Sequence, residues 1–445
     1  MSPYVQYMYS YPHKTAYRPL EGVSLQQYIH LLQGSGHGLY VHLPFCQAKC
    51  GYCNLFSVTG QSESEIDRYL EAVERQSIQY ERLLRPVQTE FSELTIGGGT
   101  PLYLSERQLE QLLAVLKAHF QYTPERELII ETAPNQTDAK KLQILKAAGV
   151  TRVSMGIQSF HDEELAALGR QHRANQARKA LQLLKNAGFA CVNVDFIYGI
   201  PGQTKESLLA SLTEALDHEP DEIFLYPLYV KHGAGMEQQG IVPDGDAAYA
   251  QYECASAFLK RAGFCQDSMR RFVRRRPLEK RTFHECGFGT SLALGCGGRS
   301  YLGRLHFCSP YAITRTECLE RLSDYERTVD FTKITHGILL SDEECRRRYV
   351  IRHLMILPGL SVEGYQKAFH SRAEDDFPML REWIEKGYAA FSGDGRYLAL
   401  TEIGLGLSDL LGPQLISAQV RAAMEEWEAE RRNAYDVIPG QSEKL

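Results

Sequence analysis

Six apolar, strand-like stretches, at residues 39–43, 91–96, 128–131, 152–157, 191–197 and 222–226, alternate with helix-like stretches at 63–84, 105–120, 138–148, 176–187 and 205–216. Ser105, with Gln108 three residues on, marks the start of one of these helices as a capping box. Strands joined through helices of this length pair in parallel with right-handed crossovers, because a tight turn only returns a chain antiparallel. Six in succession predict an α/β fold, a partial (β/α)6 barrel of the TIM type whose sheet need not close. Chemistry in such barrels collects at the carboxyl ends of the strands. Those ends define the candidate site.

The first strand ends in Cys46, Cys50 and Cys53, the second in Gly97-Gly98-Gly99-Thr100-Pro101, the third in Glu131. Gln158 follows the fourth, Asp195 lies in the fifth, and Tyr226 to Tyr229 follow the sixth. Thiolates are soft ligands, and three on one short loop meet at little entropic cost. Structural zinc wants a second ligand pair, yet the other cysteines, Cys191, Cys254, Cys265, Cys286, Cys296, Cys308, Cys318 and Cys345, are scattered singly. An iron–sulfur cluster held by three cysteines keeps one iron open for another ligand, the reading preferred over zinc or core cysteines. The glycines let backbone N–H groups approach a ligand, though a plain turn needs glycine too. Glu131 serves either an internal salt bridge or a ribose-like hydroxyl. Arg170 suits a ligand carboxylate, whereas His172 reads equally well as a helix cap or surface residue.

Composition narrows the class. At 445 residues and 50.4 kDa the chain accommodates two or three domains, and its net charge of −6 offers no general field for nucleic acid or anionic membrane. No apolar run approaches the length of a membrane span, and the first residues lack a signal-peptide pattern. Eleven cysteines are too sparse for a disulfide scaffold and fit a reducing cytoplasm, which an oxygen-sensitive cluster also needs.

The run Tyr40-Val41-His42-Leu43-Pro44-Phe45-Cys46-Gln47-Ala48-Lys49-Cys50-Gly51-Tyr52-Cys53 resembles the CxxxCxxC signature of radical S-adenosylmethionine (SAM) enzymes. Together with Gly97 to Pro101, Gly156-Ile157-Gln158-Ser159-Phe160, and Asp195 ahead of Gly199-Ile200-Pro201-Gly202-Gln203-Thr204, it is similar to the oxygen-independent coproporphyrinogen III oxidase family. The resemblance is strong over residues 37–235 and weaker to about 412. It implies a [4Fe-4S] cluster on Cys46, Cys50 and Cys53 with SAM on the fourth iron, reductive cleavage to a 5'-deoxyadenosyl radical, and hydrogen abstraction from substrate. By the same resemblance Tyr40, Gly98 and Glu131 contact this SAM, while Tyr52, Gly99, Thr100, Gln158, Arg170, Asp195 and Tyr229 lie where some members hold a second. An electron donor such as flavodoxin or ferredoxin is implied, and so is a small-molecule, tetrapyrrole or peptide substrate.

Leu55 stands where the decarboxylating members of that family carry a further Cys, which argues against coproporphyrinogen oxidation. An aromatic leader, with Tyr7, Tyr9, Tyr11, His13, Lys14 and Tyr17, precedes the barrel and resembles that of a subgroup of oxidase-like bacterial proteins. It either crosses the barrel mouth or packs outside. The expected organisation is an arm over 1–36, a barrel over 37–235, a barrel extension and connection over 236–340, a helical and winged-helix-like α+β domain over 341–412, and a helical tail over 413–445. The basic run Arg270, Arg271, Arg274, Arg275 and Arg276 reads by default as a solvated loop, with an anion site as the sharper alternative. Cys296 lies in a second glycine loop expected to return toward the site. The function this suggests is radical SAM chemistry on an unidentified substrate. Alternatives are coproporphyrinogen oxidation, methyl transfer, or haem carriage with His37, His42 or His172 as candidate axial ligands.

Overall fold

The structure is a computed structural model and describes residues 2–8, 10–231, 233–274 and 288–436. Tyr9, Arg275, Arg276 and Cys286 lie outside the described residues, as does the end of the tail.

In chain order the strands of the large sheet are β1 (Arg18–Ser24) and β2 (His37–Leu43). The paired β3 (Phe45–Cys46) and β4 (Val58–Thr59) form a small sheet of their own. The large sheet continues with β5 (Phe91–Gly98), β6 (Tyr122–Thr132), β7 (Arg152–Gln158), β8 (Cys191–Tyr198), β9 (Glu222–Pro227), β10 (Phe264–Gln266) and β11 (Arg271–Arg274). Its last members are β12 (Ser291–Leu294), β13 (Ser300–Leu302), β14 (Leu305–Phe307) and β15 (Lys333–Leu339). The sheet order is β1-β15-β14-β13-β12-β2-β5-β6-β7-β8-β9-β11-β10. The strands β2, β5, β6, β7, β8 and β9 run parallel, as the alternation predicts.

One parallel partner has no counterpart in the sequence pattern, because β12 joins β2 from 253 positions away in parallel register, Leu292 opposite Leu39. Antiparallel strands then extend both edges, and the sheet does not close among the described residues.

In β2, β7 and the first half of β8 apolar residues recur with the period of two that a sheet with unlike faces requires. Leu39, Val41 and Leu43 in β2, Val153, Met155 and Ile157 in β7, and Val194 and Phe196 in β8 are fully buried. The intervening Tyr40, Ser154, Gly156 and Asp195 are only partly buried and line the barrel interior. That interior is polar. At its base Glu222 pairs with Arg152 at 2.7 Å and with Arg271 at 2.7 Å, and Asp267 meets Arg271 at 3.1 Å.

Ser105 caps its helix as expected, accepting from Gln108 N at 3.4 Å while Gln108 Oε1 accepts from Ser105 N at 3.1 Å. The C-terminal helices Asp342–Leu354, Val362–Phe369 and Met379–Glu385 pack with β16 (Leu360–Ser361), β17 (Ala389–Phe391) and β18 (Tyr397–Leu400) around Trp383, Leu380 and Leu398. Met8, Tyr11 and Ala16 of the arm belong to this same core. No helix among the described residues is long and apolar enough to cross a membrane.

Candidate active site at the barrel mouth

The cysteine loop leaves β2 and is tied down by each neighbouring strand-end loop in turn. Gly99 N donates to Leu43 O at 2.7 Å and Thr100 N to Phe45 O at 2.8 Å. Gln47 accepts from Asn135 Nδ2 at 2.6 Å and Gln136 Nε2 at 2.7 Å, binding the loop to the segment after β6. Gly51 N donates to Leu168 O at 2.9 Å, and Gly51 O accepts from Met236 N at 2.8 Å, which adds the segments after β7 and β9. Glycine is required where these chains meet. A Cβ on Gly99 would stand 2.6 Å from Phe45 O and 2.9 Å from Cys46 Sγ, and one on Gly51 would stand 2.9 Å from Met236 Cγ.

Cys46, Cys50 and Cys53 are all free and partly exposed. Burial pushes the Cys46 thiol up to about 12, with Cys53 adding to the effect, and burial then Cys50 raise Cys53 likewise. Thr100 Oγ1 lies 3.7 Å from Cys46 Sγ, and Arg170 Nη1 donates to Cys50 Sγ at 3.2 Å. A single ion needs its ligands to meet around one point. Among the described residues no group of three or more His, Cys, Asp or Glu side chains does so. A cubane cluster takes each thiolate on a different iron, so three thiols need only face one shared space.

Opposite the cysteines, Gly98 takes φ +117, and its N–H donates to Glu131 Oε2 at 3.1 Å. Gly97 leaves room for that carboxylate, since a Cβ there would stand 2.8 Å from it. The Glu131 side chain is open to the barrel interior while protein surrounds it. Desolvation by that wall raises its carboxyl to about 7 against the opposing Gly98 N–H, and Asp195 pushes the same way. Asp195 is raised to about 6 by burial, opposed by Asn193 Nδ2, which donates to Asp195 Oδ1 at 2.7 Å. Gln158 takes the left-handed φ of +72 at a β-bulge and is buried with Oε1 unpaired among the described residues. A strained, unsatisfied polar side chain at a strand end is a feature of ligand sites. Tyr40 OH lies 3.1 Å from His42 Nδ1, and Tyr52 lies partly buried on the cysteine loop with burial raising its hydroxyl.

The structure thus brings Cys46, Cys50, Cys53, Tyr52, Gly98, Gly99, Thr100, Glu131, Gln158, Arg170 and Asp195 to one end of the sheet, with Tyr40 inside the barrel below. Tyr229 is also at this end, but its hydroxyl donates to Asp409 Oδ2 at 2.5 Å, while Lys231 Nζ lies 5.2 Å over its ring and Tyr4 packs edge-on against it. The arm crosses here, with Tyr4 6.0 Å from Tyr198 and Tyr7 6.2 Å from Tyr226 between ring centroids.

Arg270 corrects the expectation of a solvated basic loop. It is buried, its guanidinium stacks 3.7 Å from the Tyr7 ring, and it donates to Asp409 Oδ2. Arg271 is buried on Glu222, and Arg274 Nε donates to Pro220 O at 3.1 Å. Asp409 has no signature in the sequence, since one Asp between Ser408 and two leucines carries no local sign of a partner in the barrel. The candidate haem ligands are otherwise engaged. His42 Nε2 lies 2.9 Å from Phe56 O, His172 Nε2 lies 3.1 Å from Ile157 O, and His37 begins β2 at the far end of the sheet. Cys296 is buried against Arg321 O, and its glycine loop does return, with Gly295 packed on His42 O.

The radical SAM superfamily model matches residues 40–215, which hold every one of these strand-end loops but the last. The chain is 31% identical over 267 residues to the heme chaperone HemW of Haemophilus influenzae, covering 59% of this chain and 70% of that one. The chain belongs to the radical SAM superfamily, in its oxygen-independent coproporphyrinogen III oxidase-like family. It is also 28% identical over 360 residues to the oxygen-independent coproporphyrinogen III oxidase of Escherichia coli, with 76% of each chain covered. The solved structure of coproporphyrinogen III oxidase (HemN) from E. coli shares the fold at TM-score 0.75 and 23% identity, covering 95% of this chain and 97% of that one. Membership of this superfamily implies a [4Fe-4S] cluster and SAM, and the cysteine loop, the glycine cradle and the unpaired Gln158 Oε1 fit groups of that kind.

Proposed function

We propose that the chain is a radical SAM enzyme whose cluster is held by Cys46, Cys50 and Cys53, and that it acts on a substrate admitted between the barrel mouth and the N-terminal arm. The observation that carries this is the pinning of the three-thiol loop by Gly99 and Thr100, beside the bonded pair Gly98 and Glu131, at the carboxyl ends of one set of parallel strands. When bound, the cluster supplies the electron that splits SAM into methionine and a 5'-deoxyadenosyl radical. The chain's own residues do the rest. Glu131, fixed by the Gly98 N–H, accepts hydroxyl donors of a ribose, and Tyr40 flanks it from β2. Gln158 and Asp195 offer polar atoms to the amino and carboxylate groups of a ligand beside the first SAM, which is the place for a second SAM or for substrate. Tyr4 and Tyr7 cover the opening and restrict water, which would quench a radical.

The test is anaerobic reconstitution with iron and sulfide, followed by dithionite and SAM. 5'-Deoxyadenosine is expected from the wild type and not from Cys46→Ala; no product from a wild type that has taken up its cluster would sink the reading. S-Adenosylhomocysteine in the same tube marks methyl transfer. Two relatives favour specific alternatives by their names, heme chaperone and coproporphyrinogen oxidase. Leu55, 47% exposed near the thiol loop in place of a Cys, speaks against the oxidase. A haem titration decides the chaperone reading, which needs a stoichiometric Soret shift from a ligand other than the engaged His42 and His172.

A further inference from the structure

We propose that Arg170 is a positioning residue for the cluster, donating a hydrogen bond to the Cys50 sulfur and so setting how readily a cluster held there takes up an electron. This rests on the reading of Cys46, Cys50 and Cys53 as the cluster's ligands. The guanidinium has both arms of its fork in use: Nη1 donates to Cys50 Sγ at 3.2 Å and Nη2 to Gly156 O.

The surroundings hold the side chain in place from three directions. Arg170 N donates to Leu165 O at 2.9 Å, ending the short helix Asp162–Ala167. Gly169, at φ +67, brings the backbone so close to the cysteine loop that a Cβ would stand 3.1 Å from Gly51 N. On the strand side, the carbonyl of Gly156 accepts from Nη2, and the missing side chain there leaves room for Gln158, whose Nε2 would stand 2.7 Å from a Cβ. A close glycine contact and two backbone carbonyls thus aim one cation at one thiol.

The consequence for the cluster is electrostatic. A guanidinium stays charged at any working pH, and hydrogen bonds to cluster sulfurs together with nearby charge set the reduction potential. The reduced cluster carries one more negative charge than the oxidised one, so a cation bonded to its ligand favours the reduced form. Arg170 therefore raises the potential and eases the electron transfer that starts the chemistry.

The experiment is an EPR-monitored redox titration of the anaerobically reconstituted full chain without SAM, for the wild type, Arg170→Gln and Arg170→Lys. Leaving SAM out removes the carboxylate that Arg170 would bind on the resemblance alone. Arg170→Gln is expected to move the midpoint to more negative potential, with the reduced-to-oxidised ratio at fixed potential falling roughly tenfold, about 59 mV for one electron. Arg170→Lys, which keeps the charge without the planar fork, is expected between the two. Either variant holding wild-type iron and sulfide content at the wild-type midpoint overturns the proposal, and Arg170→Lys decides alone should Arg170→Gln assemble no cluster. A wild-type chain that takes up no cluster overturns the reading of the cysteines instead.

Discussion

At the scale of single residues, the site depends on groups whose cost the fold absorbs. Glu131 has an ordinary carboxyl value of 4.5 that its surroundings raise to about 7 in the ligand-free barrel. Because the folded chain binds this proton more tightly than the unfolded one, the contribution to stability is complete below about 4.5 and is lost as pH rises through about 7. Asp195 acts in the same direction between 3.8 and about 6. Glu131→Gln, which keeps an oxygen to accept from Gly98 N, should therefore raise the urea midpoint of the ligand-free chain at pH 8 and leave it near wild type at pH 4. Equal effects at both pH values would rule this out. Gly98 is the other sensitive position. At φ +117, with an added Cβ 2.8 Å from the His42 ring, Gly98→Ala should cost about 2–4 kcal/mol and lower the melting temperature accordingly. The three cysteines were legible in the sequence because their spacing is local. The bond from Gly98 to Glu131 spans 33 positions, and the sequence placed both residues at strand ends without showing that they meet.

At the scale of elements, the alternation of strand and helix revealed the parallel order because crossover helices leave little choice of topology. It did not reveal β12, whose four residues follow no crossover helix that the pattern could register. Nor did it reveal the helix Asp162–Ala167, six residues long and too short to show a period. The base of the barrel was hidden for a different reason: Arg152, Glu222 and Arg271 each look like ordinary surface charges in sequence, and only their convergence makes them a core. Removing the shared carboxylate leaves two guanidinium groups buried without it, and breaking such a network is far costlier than any surface pair. Glu222→Ala should destabilise the chain by about 3–5 kcal/mol, read as a fall in the denaturant midpoint, whereas Glu214→Ala, which removes the exposed partner of Arg178, should change it by less than about 1 kcal/mol.

At the scale of the whole molecule, the arm, the barrel mouth and the C-terminal helices meet on Asp409. Its carboxylate accepts from Arg270 and from Tyr229 OH, and its backbone oxygen accepts from Val5 N at 3.3 Å and Gln6 N at 3.2 Å. Arg270 and Asp409 lie 139 positions apart, and the arm another long span away, so nothing local in the chain announces the junction. Its physical logic is that a buried guanidinium has to keep its counter-charge, which makes the helix Ser408–Leu411 a fixed rim for the barrel opening. Asp409→Asn keeps the backbone bonds to the arm but leaves Arg270 buried without a neutralising carboxylate. It should cost about 3–5 kcal/mol and speed limited proteolysis within residues 2–17. Tyr229→Phe removes one hydrogen bond to the same carboxylate and should cost about 1.5–3 kcal/mol, with the arm cut at close to the wild-type rate. If both variants release the arm equally, the tyrosine and not the ion pair holds the rim, and access to the site is set from the barrel side.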